Sequence, residues 1–465
     1  MRIAALLTPL DHERLAARGW IVKQSVLRTV QAQGVREDSA ILGLAYRGLT
    51  VPIRTPLPVP KAPETHITAE AGLSLGPHMD LRAESLVQLG DVVKQGQPIL
   101  RDRRRPECVV TAPMSGRVIE LEIGPGRRLS SLVIASDDGL DPHLYEARPA
   151  NDEMFGSSGS DALRALLQAA GLWMHFRSRP FGRVPAAMAR PAAILIAAAD
   201  TRPLAADPQL ALDGHNRDWL QLGLSALVRL GDGPVHLLQN SGADIVSGMA
   251  DVTVSRVGAL HPSGLAGFQV YARCPAQPER PVWNVDLEVV VAIGQLLATG
   301  SLPATRLVSV AGPGMQQTRL VRCQPGADLR EICHKHSKPG QTVILSGSVL
   351  DGSPSRWLGF HDRQVTVLNR SDSKPQQHWL DAALRRASRP EPIIATAAVE
   401  QALGGMMAGM ALLRALSVGD DEAAAEYGAL SLLEEDMALV DYVTAAEPRF
   451  ADLLRAALDR IEANQ

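Results

Sequence analysis

The sequence predicts an α+β multidomain fold: a β-sandwich, then a parallel α/β unit, a β-grasp module and a helical tail. Three observations predict it. Residues 89–121 hold short β-branched runs punctuated by Gly90, Gly96, Pro98, Pro113 and Gly116, the pattern of a tight β unit. A continuous apolar run at 192–199 precedes a helical pattern at 218–230 and a further apolar run at 235–239; strand, helix, strand is the parallel unit. Beyond Ser371 the apolar spacing is mostly helical. The 465 residues exceed one ordinary core, which suits several domains.

Residues 1–45 form a mixed, slightly basic segment. It reads as a docking arm, a disordered stretch or a translated extension upstream of the start. Residues 46–150 hold the sandwich, behind a Pro-rich linker at 56–63 that is stiff and extended. Gly90-Asp91 and Lys94-Gln95-Gly96 supply its turns. These residues resemble the hammerhead of biotinyl and lipoyl carrier domains, where "GD-x-V-x-x-GQ" precedes "V-x-A-P-x-x-G-x-V". Carriers present a lysine on the hairpin between the halves. Here the hairpin is Arg101-Asp102-Arg103-Arg104-Arg105-Pro106-Glu107-Cys108, and arginine stays protonated, a poor group to acylate. A structural or docking module is expected. Arg103, Arg104 and Arg105 at the tip suit an acidic partner or lipid phosphates, and equally a solvated turn.

Residues 151–259 are read as the α/β domain, entered through a Gly/Ser hinge and a helix at 162–170. Trp173, Phe176, Arg177, Arg179 and Phe181 interleave aromatics with arginines around Pro180. That suits stacking on a quinone head group, or a domain interface or partner-docking surface anchored by Trp and Arg. Asp200 and Asp207 follow the buried strand at the carboxyl end of the sheet, where α/β ligands bind. For Asp200 a helix cap is the plainer reading. Residues 260–370 follow, with a helix at 287–298, strands at 306–310, 319–323 and 342–345, and a short helix at 329–333, compatible with a β-grasp. Residues 371–465 predict helices at 379–386, 399–416, 421–433, 434–443 and 450–464.

Composition excludes several chemistries. Net charge is −3, and nothing points to nucleic acid. Cys108, Cys274, Cys323 and Cys333 form no C-x-x-C, so no iron–sulfur or zinc spacing exists, and scattered cysteines suit a reducing compartment. No apolar run approaches the roughly 18 residues that span a bilayer. A soluble chain is expected, reaching a membrane through partners. Residues 72–76 match G-x-S-x-G, but Pro77 and a β unit follow where a nucleophile elbow needs a helix. Gly312-Pro313-Gly314 reads as a turn, with Gln317 in place of a third dinucleotide-loop glycine. His334 and His336 have no third ligand near and read as a solvated face.

Longer motifs carry a resemblance. They are residues 48–53, the hammerhead at 90–118, Leu172-Trp173, Arg179-Pro180-Phe181, 200–208 and 261–267. They continue with Ala292-Ile293-Gly294, Thr299-Gly300, Ala311-Gly312-Pro313, 346–350, Leu358-Gly359-Phe360-His361 and 433–439. In this order they resemble the family of A subunits of the sodium-translocating NADH:quinone reductase, NqrA. The resemblance covers residues 46–368 well and the C-terminal helices partly. Residues 282–312 also resemble the soluble ligand-binding (SLBB) region of RnfC and of the flavin-binding subunit of respiratory complex I. There a Rossmann-like α/β domain holds a flavin nucleotide and nearby cysteines hold a cluster; NqrA-like chains lack both.

The resemblance implies a hammerhead sandwich, a Rossmann-like α/β domain, an SLBB-like β-grasp and C-terminal helices. It implies a cytoplasmic subunit, peripheral to the inner membrane, docked on the membrane subunits of a complex that passes electrons from NADH to ubiquinone and pumps sodium. This chain would carry no covalent cofactor and no catalysis of its own. Ubiquinone is its candidate ligand; NADH, flavins and an iron–sulfur centre are expected on other subunits. The alternative is an NqrA- or RnfC-like paralogue, a binding or scaffold protein outside that complex. The chain departs from the family in its first 45 or so residues, between 367 and 412, and at Tyr442-Val443-Thr444-Ala445-Ala446, where the family has a cysteine-containing tail.

Overall fold

The computed structural model describes residues 48–53, 60, 62–75, 81–137, 139–146, 159–370 and 396–465. The expectations for residues 1–45, for most of the linker at 56–63 and for a helix at 379–386 lie outside the described residues.

β1 (Glu64–Thr65) precedes the sandwich. The sandwich is built from β2 (Glu70–Gly72), β3 (Ala83–Ser85), β4 (Val92–Val93), β5 (Pro98–Asp102), β6 (Arg105–Thr111), β7 (Gly116–Ile123) and β8 (Leu129–Ser136). One sheet runs β2-β8-β7-β4 and the other β3-β5-β6. Ile99, Leu100, Val110, Val118 and Ile134 fill the space between them. The hairpin joining β5 and β6 turns through Arg103 and Arg104, where the sequence predicts it.

The second domain comprises α1 (Gly159–Ala169), β9 (Arg177–Arg179), β10 (Ala193–Ala198), α2 (Asn216–Leu230), β11 (Val235–Gln239), β12 (Val252–Arg256), α3 (Ala266–Arg273), β13 (Val282–Asp286) and α4 (Leu287–Thr299). Its sheet runs β12-β11-β10-β13-β9, parallel except for edge strand β9. Ile194 and Ile196 of β10 feed one core and Ala193 and Leu195 another, so the strand is apolar on both faces. Helices α2 and α4 touch backbone to backbone. A Cβ on Gly223 would lie 2.0 Å from the Val290 carbonyl, and one on Gly294 would lie 1.8 Å from that of Trp219. The sheet does not stop at residue 259. β13 pairs with β10 along residues 282–286, so this strand and the helix expected at 287–298 belong to the second domain's sheet and its covering layer.

The third sheet holds β14 (Arg306–Ala311), β15 (Arg319–Cys323), β16 (Thr342–Ser346), β17 (Ser353–Pro354) and β18 (Gln364–Asn369), with α5 (Leu329–His334) packed on it. Its order is β1-β15-β14-β18-β16-β17. The strand ahead of the sandwich thus closes the edge of the β-grasp sheet and ties the two domains together.

The tail folds as α6 (Ala397–Ala402), α7 (Gly409–Val418), α8 (Asp421–Glu426), α9 (Glu434–Thr444) and α10 (Phe450–Ala463). The single helix expected at 399–416 is two, because Gly404 and Gly405 turn through φ of 66° and 57°. The helix expected at 421–433 ends at Glu426, and Gly428 follows with φ 100°.

Candidate functional site

The family motifs converge on three places. The first holds the Trp173 block. Trp173 and Phe176 are 0% exposed and pack with Trp283 at ring separations of 5.3 and 5.6 Å. The Trp173 indole N–H donates to the Pro185 carbonyl at 3.0 Å. Neither ring offers a face to a ligand or partner. Arg179, also 0% exposed, donates to Asp436 at 2.8 Å, the Ser431 carbonyl at 2.8 Å, Asn284 at 3.1 Å and Glu435 at 3.3 Å. Asp436 accepts further from the amides of Leu433 (2.8 Å) and Gly267 (3.2 Å). Arg177 meets Glu435 at 2.8 Å. Burial works against the Glu435 carboxylate, yet Arg177 and Arg179 hold its pKa below the ordinary range. Arg455 donates to the Phe181 carbonyl at 2.8 Å. This is an internal clamp between the α/β domain and the helical tail. It explains why Gly267 belongs to a motif: a Cβ there would lie 2.1 Å from Asp436 Oδ2.

The second place is the switch point of the parallel sheet, at the carboxyl ends of β10 and β13. Asp200 accepts from the Arg202 amide at 3.0 Å and its guanidinium at 2.6 Å. Burial opposes the Asp200 charge, but Arg202 and then Arg363 hold its pKa low. Arg202 reaches Asp351 at 3.4 Å, and Arg363 reaches Asp286 at 3.4 Å. Residues of the third domain thus fill the crevice where α/β sheets take ligands. Asp200 caps no helix; Asp207 does, accepting from the Gln209 amide at 3.0 Å ahead of the 3₁₀ turn Pro208–Ala211.

The third place is a cavity of about 160 Å³ where sandwich, α/β domain and β-grasp meet. The sandwich contributes Gln95 and 111–113, α4 contributes Glu288, Ala292 and Gln295, and the β-grasp contributes Arg306, Leu358 and Phe360. His175, inside the aromatic block, lines it and stacks on Phe360 at 4.3 Å, with the two rings tilted by 12°. His361 meets the His175 ring edge-on at 5.5 Å. Burial pushes His175 well below the ordinary imidazole range and His361 down to about 4, so both are neutral at pH 7. Glu288 Oε1 accepts from the Leu307 amide at 3.0 Å. Burial raises the Glu288 pKa, only partly offset by Arg306 and Arg363. His175 Nδ1, Glu288 Oε2 and Arg306 Nε are shielded from water and have no hydrogen-bond partner among the described residues. Buried polar atoms are normally paired, and here three unpaired ones belong to residues that line one cavity.

The remaining candidates fall elsewhere. Ser74 sits on the sandwich–β-grasp junction, its carbonyl accepting from the Phe360 amide at 3.1 Å. Burial raises the thiols of Cys108 to about 11 and of Cys323 and Cys333 to about 12. Among the described residues no group of three or more His, Cys, Asp or Glu could hold a metal. Arg105 is held inward by Asp102 at 2.9 Å and the Val184 carbonyl at 2.6 Å, while Arg103 and Arg104 are exposed. Sequence reasoning passed over Glu288 and Arg306, which stand in no motif. The Phe360-His361 pair lay within a quoted motif and His175 stood between residues of the Trp173 block, and that was the available signal.

Comparison with known proteins follows this layout. Residues 45–137 match the NqrA N-terminal barrel-sandwich hybrid domain, 158–302 the NqrA second alpha/beta domain and 307–356 the NQRA C-terminal domain. The A subunit of the Na(+)-translocating NADH-quinone reductase of Pasteurella multocida is 34% identical over 438 residues, covering 87% of this chain and 97% of that protein. The corresponding protein of Rhodopirellula baltica is 32% identical over 441 residues, covering 87% and 96%. Among solved structures, an NAD+-reducing NiFe hydrogenase in the air-oxidized state is 14% identical. It covers 68% of each chain with a TM-score of 0.34, too slight a likeness to carry an argument.

Proposed function

This chain belongs to the NqrA family, the A subunits of Na(+)-translocating NADH-quinone reductase, and we propose that it docks on that complex from the cytoplasmic side and lends it a quinone-binding cavity. It is a subunit of an oxidoreductase complex. No helix among the described residues is long and apolar enough to cross a membrane, so in this reading it is anchored by a membrane subunit. Flavins, the iron–sulfur centre and the NADH site belong to other subunits.

The observation that carries the quinone reading is the set of orphaned polar atoms on an apolar cavity. Quinone carbonyls accept hydrogen bonds and donate none. Arg306 Nε offers an N–H, neutral His175 offers one in the tautomer protonated at Nδ1, and Glu288, whose pKa burial raises, offers an O–H in its protonated form. Val291, Ala292 and Leu302 supply an apolar wall for the ring and the start of its tail. Of the block read from sequence as quinone-binding or interface, Trp173, Phe176 and Arg179 lie buried between the domains, and in this reading the contact with the quinone comes from their neighbour His175.

Purification of the tagged full chain from detergent-solubilised native membranes tests the docking. Yellow, flavin-bearing partners with NADH:quinone reductase activity are expected. A colourless chain recovered alone from the cytosol would overturn it.

A further inference from the structure

Two loops at one end of the sandwich carry arginines into water. The β5–β6 hairpin exposes Arg103 and Arg104, and the turn between β7 and β8 exposes Arg127 and Arg128. They lie side by side. The Arg103 amide donates to the Arg82 carbonyl at 2.9 Å, and the Arg82 guanidinium donates to the Gly126 carbonyl at 2.5 Å. The acids among them are already engaged. Glu84 accepts from Arg101 at 2.9 and 3.0 Å. Asp102 is buried against Arg104 and Arg105. Glu107 and Glu122 stand further along the strands. The whole chain is slightly acidic, at −3, so this positive end is local. Two residues beyond Glu84, Leu86 is 41% exposed.

We propose that this end of the sandwich docks on the anionic phosphates of a phospholipid leaflet. Guanidinium forks match phosphate oxygens in pairs. Each arginine held near an anionic surface adds about 5-fold to binding, within a Debye length of about 10 Å at 0.1 M salt. Positive charge spread over two adjacent loop tips favours a layer of phosphates over an acidic polypeptide. The surface is distinct from the cavity, and the inference stands whether or not the cavity binds quinone.

The test is sedimentation of the full chain with phosphatidylcholine vesicles, with and without about one-third phosphatidylglycerol, at low and high salt. Binding to the anionic vesicles alone, released by salt, is expected. The triple variant R103Q/R127Q/R128Q should bind on the order of 100-fold more weakly. The charge-matched variant R217Q/R280Q/R330Q, altered at exposed sites elsewhere, should bind as the parent does. Equal binding to both vesicle types, an unchanged triple variant, or binding to polyglutamate with none to anionic vesicles would each overturn the proposal.

Discussion

The clamp around Arg179 and the cavity around Glu288 are both buried and charged, and both lie between domains. In the clamp every guanidinium nitrogen of Arg179 and both oxygens of Asp436 have partners. At the cavity, polar atoms of His175, Glu288 and Arg306 have none among the described residues. A saturated network has nothing left for a ligand and serves to fix one arrangement. An unsaturated one costs stability and persists where something else completes it. Residue type does not separate the two regions, since each has arginine, carboxylate and aromatic rings; bonding completeness does.

The comparison breaks most visibly at the clamp. Asp436→Ala leaves buried Arg179 with only the longer ion pair, to Glu435 at 3.3 Å, and should cost about 3–5 kcal/mol in urea unfolding. Gly267→Ala forces a methyl onto the same carboxylate and should cost about 1–3 kcal/mol. A D436A chain as stable as the parent would show that the clamp does not hold the tail.

A pH series sharpens the electrostatic side. His361 and His261 are both pushed down to about 4, chiefly by burial. Between their ordinary value near 6.5 and 4 the folded state binds fewer protons than the unfolded chain. Stability is therefore full above 6.5 and falls as pH drops through that window. The loss should be on the order of 1–2 kcal/mol per histidine between pH 7 and 5. His361→Gln should remove its share of the slope and leave that of His261. Urea midpoints at the two pH values decide it. Glu288 runs the other way: its raised pKa means stability lost as pH rises, so Glu288→Gln should flatten that limb.

At the cavity the readout is binding. Glu288→Leu removes a donor and should weaken ubiquinone-1 binding about tenfold. Glu288→Gln keeps an N–H donor and should retain it. The glutamine variant keeps an acceptor for the Leu307 amide and should leave unfolding within about 1 kcal/mol of the parent, while the leucine variant unpairs that amide and should cost about 1–3 kcal/mol. If the leucine variant binds as the parent does, Glu288 makes no contact with the ligand.

Much of the fold was legible because its signals are local. The apolar run at β10 and the Gly/Pro punctuation of the sandwich each predict their element directly. What failed was of two kinds. Helix ends at Ala402 and Glu426 depended on glycines whose φ the periodicity does not show. The edge of the second domain depended on β13 pairing with β10, a contact about ninety residues apart in sequence. The site was harder to read. Trp173 and Phe176 suited a ligand or an interface alike, because the same rings serve cores and binding sites. Glu288 looked like an ordinary first-turn carboxylate of α4. Its meaning comes from Arg306 and His175 being brought beside one cavity by three domains, which no spacing along the chain displays.

The most direct measurement is equilibrium dialysis of ubiquinone-1 against the full chain and its Ala292→Phe variant, whose ring would fill the cavity. Saturable one-to-one binding by the parent, at least tenfold weaker in a variant that unfolds at a similar urea concentration, is the expected result. No saturable binding by the parent, or equal binding by both, would contradict a quinone in the cavity.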